Sequence, residues 1–124
     1  MVSILIVTHG EMAQGMLNSM RMIAGDQKQV GTVALEEAYS PEYLKELLQA
    51  AINELDDGDG VLIMVDLFGA TPFNASMQLY LQSDHQIEII TGVNLPMLIE
   101  TAISRANCDL ETIFHTALNA GTSG

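Results

Sequence analysis

The sequence predicts an α/β domain: a doubly wound, mainly parallel four-stranded sheet with helices on both faces. Two observations carry this reading. Short, almost uninterrupted apolar runs alternate with segments of helical periodicity along the whole chain, as expected when strands are buried on both faces and helices cover them. There is also no repeat, linker or low-complexity block before Gly121-Thr122-Ser123-Gly124. Residues 1–120 therefore read as one domain and 121–124 as a tail or the start of a further strand or linker. A chain of 124 residues can bury a core without disulfides or metals.

Val2 to Val7 is apolar except for Ser3 and is the first strand. Met12 to Ala24 carries apolar residues at 12, 13, 16, 17, 20, 23 and 24, a helical spacing that stops at Gly25-Asp26. Gly31 to Leu35 is short and partly β-branched, the second strand. Ser40-Pro41-Glu42 starts the second helix with a capping hydroxyl, a proline where no amide hydrogen is required, and an acid in the first turn. Asp57-Gly58-Asp59-Gly60 is a turn, and Val61 to Val65 is the third strand. Thr71-Pro72 opens a third helix reaching about Leu81, and Ile87 to Ile90 is the fourth strand. A fourth helix spans about Pro96 to Arg105. Asp109 caps a fifth, whose stripe is Leu110, Ile113, Phe114, Ala117 and Leu118.

Four basic residues against sixteen acidic ones give a formal charge of -12. Phosphate neutralisation needs clustered Lys and Arg, so nucleic acid and anionic lipid are excluded as partners. Arg21, Lys28, Lys45 and Arg105 are scattered. The acidity reads either as solubility or as attraction to a basic partner protein. A single cysteine, Cys108, fits a reducing cytoplasm. No cluster has metal-ligand spacing, and no cofactor is implied.

In doubly wound sheets ligands bind beyond the carboxyl ends of the strands, where strand order reverses. That directs attention to three loops: Thr8-His9-Gly10, Asp66 to Pro72, and Gly92-Val93-Asn94. With strands one and three as neighbours, His9 faces Asp66. A carboxylate that accepts one imidazole N–H fixes the tautomer and leaves the other nitrogen as a nucleophile. Phosphoryl oxygens then require donors, which helix N-termini supply through free amides. Gly10, Gly69 and Ala70 allow close backbone approach, and Thr71 adds a hydroxyl. Each residue also has a plainer reading: Asp66 as a turn cap, Thr71 as a helix cap. Met12, Met16 and Met20 recur at i, i+4 and i+8, a core stripe or an adaptable docking face.

These motifs match a known family. Val7-Thr8-His9-Gly10, Val65 through Asn74 with Asp66-Leu67-Phe68-Gly69-Ala70-Thr71-Pro72 at its heart, and Gly92-Val93-Asn94-Leu95-Pro96-Met97 resemble the IIA domain of mannose-family enzyme II complexes. These belong to the bacterial phosphoenolpyruvate-dependent sugar phosphotransferase system. The resemblance covers essentially the whole chain. It implies that His9 is phosphorylated, on Nε2, with Asp66 as its orienting carboxylate. It implies HPr as phosphoryl donor, a IIB domain as acceptor, membrane IIC and IID subunits as indirect partners, a homodimer, and a cytoplasmic protein peripheral to a transporter. The family commonly has a small residue and then Ser in the glycine loop, where Ala70 and Thr71 stand here. Phe68 takes the place of a usual aromatic, which with Met12, Met16 and Asn94 suggests partner docking. Family members continue into a further strand, exchanged between subunits in some homodimers, where this sequence reads Gly121-Thr122-Ser123-Gly124.

Three rival readings are open. A receiver-type domain phosphorylated on Asp66 needs acids after strand one and a late lysine, yet no lysine follows Lys45. The phosphocarrier subunit of a dihydroxyacetone kinase system has a similarly placed histidine. A non-catalytic scaffold makes the His9–Asp66 pairing incidental and predicts that His9→Ala leaves every activity intact.

Overall fold

The computed structural model describes residues 1–123. Its elements are β1 (Ser3–His9), α1 (Met12–Ala24), β2 (Val30–Leu35), α2 (Pro41–Leu55), β3 (Val61–Val65), α3 (Thr71–Gln82), β4 (Ile87–Ile90), α4 (Leu95–Ser104) and α5 (Leu110–Ser123). The four strands form one parallel sheet in the order β2-β1-β3-β4. The chain first winds from β1 to β2, then crosses back to β3, so the reversal lies between β1 and β3.

Alternation along β1 divides the core in two. Ile4 and Ile6 pack with Leu17, Met20, Leu98 and Ile113 beneath α1, α4 and α5. Leu5 and Val7 pack on the other face with Leu44, Leu48, Ile52 and Leu79 of α2 and α3. Every residue from Val2 to Thr8 is buried, which explains why the strand reads as a continuous apolar run.

The helix starts largely follow the sequence reading. Ser40 accepts from Tyr43 N–H and Asp109 accepts from Thr112 N–H; Asn94, read from the sequence as a loop and docking residue, accepts from Met97 N–H and starts α4 at Leu95. Thr71 departs from it: Ala70 is the capping position of α3, and Thr71 is the first helical residue. Its hydroxyl is therefore not used as a cap. The methionine stripe also divides, with Met20 fully buried, Met16 half-buried and Met12 45% exposed.

The chain end differs from the expected tail, because α5 runs on through Ser123. The hydroxyls of Thr122 and Ser123 bond back to carbonyls within that helix. Gly121 is where α5 crosses α4: a Cβ there would lie 2.7 Å from Met97 Cε. Residues 121–123 are thus helix in contact with α4, and Gly124 lies outside the described residues.

Arg105, one of the four scattered basic residues, lies in the interior. It is 1% exposed, and its guanidinium donates to the carbonyls of Val2, Gln29, Lys28 and Ala102. One side chain thereby ties the end of α4 to the start of β1 and the loop before β2.

Candidate active site at the end of the first strand

β1 continues one full step beyond the apolar run, so His9 is the last strand residue and pairs in register with Leu35. Alternation places it on the side of Leu5 and Val7, towards α2 and α3. Its backbone N–H donates to Asp66 Oδ2 at 2.9 Å, and its ring Nδ1 lies 2.8 Å from the same oxygen. Asp66 directly follows β3, across the point where strand order reverses. The other carboxylate oxygen accepts from Leu67 N–H at 2.9 Å.

Partial burial pushes the Asp66 carboxyl up. The backbone and ring N–H groups of His9, the charge of that ring and the Leu67 amide outweigh it, and the acidity constant settles below the ordinary carboxylate value. An ionised carboxylate can only accept, so Nδ1 carries a proton, and in the neutral ring Nε2 is the nitrogen with the lone pair. Nε2 has no hydrogen-bond partner among the described residues, and the side chain is 48% exposed. The result is an oriented, accessible nitrogen nucleophile.

The ring borders a cavity of about 620 Å³ lined by Gly10, Leu35, Glu36, Glu37, Tyr39, Pro41 and Thr71. The sequence reading named the loops after strands one, three and four but missed the one after β2. The missing signal is strand order: β2 is the other neighbour of β1, so its loop walls the cavity beside His9. This wall adds two glutamates and no cation, so anionic small molecules are repelled.

The expected phosphoryl-contacting residues fall into two groups. Gly69, Ala70 and Thr71 lie together at the start of α3, and Gly69 takes φ +79° with open space where a Cβ would be. Among the described residues no hydrogen bond takes up the amides of Gly69 and Thr71 or the Thr71 hydroxyl. Gly10 differs. Its φ of +59° makes the turn into α1, but its amide is already donated to Leu35 O at 2.8 Å.

The expected docking residues separate as well. Phe68 is 78% exposed and rests on Phe73, ring centroids 4.7 Å apart, with Leu67 beside it 59% exposed. Met12 is exposed near the start of α1, whereas Met16 packs against the core. Asn94 is not free for docking: it caps α4 and donates to Gly121 O at 2.9 Å, holding the two helices together. Among the described residues no three His, Cys, Asp or Glu side chains are placed to hold a metal ion.

Residues 3–118 match the family described as "PTS system fructose IIA component". The chain belongs to this family. The mannose-specific EIIAB component of the phosphotransferase system of Escherichia coli K12 is 38% identical over 104 residues, covering 84% of this chain and 32% of that relative. The chain thus spans about a third of that relative's length. The fructose-specific EIIA component of Bacillus subtilis is 29% identical and is covered over 78% of its length by 93% of this chain. In three dimensions, the phosphotransferase system component EIIA from Streptococcus agalactiae superposes with a TM-score of 0.91 at 31% identity, over 98% of this chain and 93% of that one. As an EIIA component, the protein is a phosphotransferase-system part built on a four-stranded parallel sheet, and no receiver-type reading is needed.

Proposed function

We propose that this EIIA component is a phosphocarrier that accepts a phosphoryl group from phospho-HPr on Nε2 of His9 and passes it to a IIB domain during sugar uptake. The observation that supports it most directly is the Asp66 carboxylate 2.8 Å from His9 Nδ1. The Nε2 lone pair attacks phosphorus, the donor's N–P bond breaks, and the leaving nitrogen keeps the bonding pair. The ring now carries a positive charge, which Asp66 stabilises without taking the proton. The amides of Gly69 and Thr71 and the Thr71 hydroxyl are the donors for the phosphoryl oxygens, at the positive end of α3. Transfer to IIB is the same step in reverse.

Phe68, Leu67 and Met12 are exposed apolar side chains that a partner protein would cover. Membrane IIC and IID subunits would be reached through IIB, placing the protein at the cytoplasmic side of a transporter. Among the described residues no helix is long and apolar enough to cross a membrane. A homodimer is the expected assembly. β4 is an edge strand, and beside it runs a groove of about 640 Å³ lined by Tyr80, Ile87, Glu88, Phe114 and His115.

The deciding experiment is incubation with phosphoenolpyruvate, enzyme I and HPr, followed by intact mass before and after mild acid. One acid-labile phosphate, absent in His9→Ala, is the expected result. No added phosphate, or an unchanged His9→Ala, refutes the relay.

A further inference from the structure

Thr8 is fully buried beside the most exposed residue of β1. Successive strand residues point to opposite faces, so while His9 turns towards α2 and α3, Thr8 turns towards α1. Its Oγ1 accepts the N–H of Ala13 at 2.8 Å. Glu11, the capping residue of α1 by position, makes no side-chain cap bond. The cap of α1 comes instead from a strand residue five positions before the amide it holds.

This closes a loop around His9, Gly10, Glu11 and Met12. The loop is pinned at three points: His9 N–H on Asp66, Gly10 N–H on Leu35 O, and Ala13 N–H on Thr8. Ala13 is 1% exposed, so without Thr8 Oγ1 its amide has no route to water, and the first turn of α1 must move to satisfy it. Gly10 transmits that movement to the His9 backbone. The same Asp66 oxygen serves both the backbone N–H and the ring Nδ1 of His9, so a shift of one bond disturbs the other.

We propose that Thr8 is a positioning residue for phosphoryl transfer, acting from the opposite face of the sheet to hold the His9 ring in register with Asp66. The reaction it serves is the one proposed above, and the test separates the two. Thr8→Val keeps the shape and removes the acceptor, Thr8→Ser keeps the acceptor, and Asp109→Ala removes a cap on α5 at the other end of the sheet. In Thr8→Val the transfer rate at saturating phospho-HPr is expected to fall about tenfold, as lost near-attack geometry does, with half-saturation unchanged. Nitrogen-15 spectra of His9 should show a mixture of ring tautomers in place of the single Nδ1–H form. Thr8→Ser should restore both, and Asp109→Ala should lower the melting temperature while changing neither.

A folded Thr8→Val with wild-type rate and tautomer overturns the proposal. So does a folded Thr8→Ser that has lost both, which keeps the test decisive if Thr8→Val does not fold. If the wild type takes up no phosphate, the phosphocarrier reading fails, and the tautomer comparison still decides whether Thr8 positions the ring.

Discussion

At His9 one carboxylate oxygen does two jobs: it fixes the backbone at the strand end and orients the ring. Replacing Asp66 with Asn weakens both, because a neutral amide oxygen is a poorer acceptor and cannot balance an imidazolium. Phosphorylation of Asp66→Asn should be slower by a factor of ten or more at equal HPr, measured by quenched-flow mass spectrometry. The same carboxylate shapes the acid limb of stability. Its folded acidity constant lies below the unfolded value, so its contribution is complete above the unfolded value near ~4 and disappears as pH falls through the folded one. Urea titrations from pH 6 to 2 should therefore show a shallower acid loss for Asp66→Asn than for wild type. Phe68 presents a different case, since 78% of it faces solvent. Phe68→Ala should leave melting within about 0.5 kcal/mol while raising the half-saturation for a partner protein, and an unchanged value would remove Phe68 from the docking residues.

Among the elements, α4 and its C-terminal capping residue carry two polar side chains that the periodicity disguises. Thr101 is fully buried, and its hydroxyl has no partner among the described residues. Thr101→Val keeps the shape and removes an unsatisfied group, and it should stabilise the protein by about 1 kcal/mol in chemical denaturation. Arg105 is the converse: its buried guanidinium satisfies four carbonyls from three segments. Arg105→Met orphans those of Val2 and Ala102 in the interior and should cost about 2–4 kcal/mol. The helix starts at Ser40 and Asp109 were legible because a capping side chain and its amide are near neighbours in sequence, whereas Asn94 was read as a loop and docking residue and caps α4. The capping of α1 by Thr8 was not legible, because its acceptor sits in the preceding strand. The extension of α5 was hidden by its composition: Gly121 and the hydroxyl residues after it read as loop, yet Gly121 sits where α5 packs on Met97 of α4.

For the whole molecule, the charge of -12 becomes a statement about partners once the groups near His9 are known. Glu36 and Glu37 line its cavity and no Lys or Arg does, while Arg105 is buried. A basic partner is attracted over a range set by screening. The bimolecular transfer rate from phospho-HPr should fall several-fold between low and 0.5 M salt, while the rate within a saturated complex should not. An edge strand with unpaired backbone groups likewise sets an expectation for assembly. Sedimentation equilibrium at micromolar concentration should return twice the chain mass, and a monomer throughout would rule out the homodimer.

Unaided, the sequence determined the fold class, nearly every element, the strand-end loops that meet around His9 and the His9–Asp66 pair. Those features rest on short-range periodicity, local caps and a topological rule that the alternating pattern invokes directly. The tertiary structure alone decided which loop lies on the far side of His9, which amides remain free, and that Thr8, Asn94 and Arg105 act as ties between elements. Each of those depends on hydrogen bonds between a side chain and a backbone group whose availability follows from the packed geometry, and residue order does not encode that geometry in any local pattern.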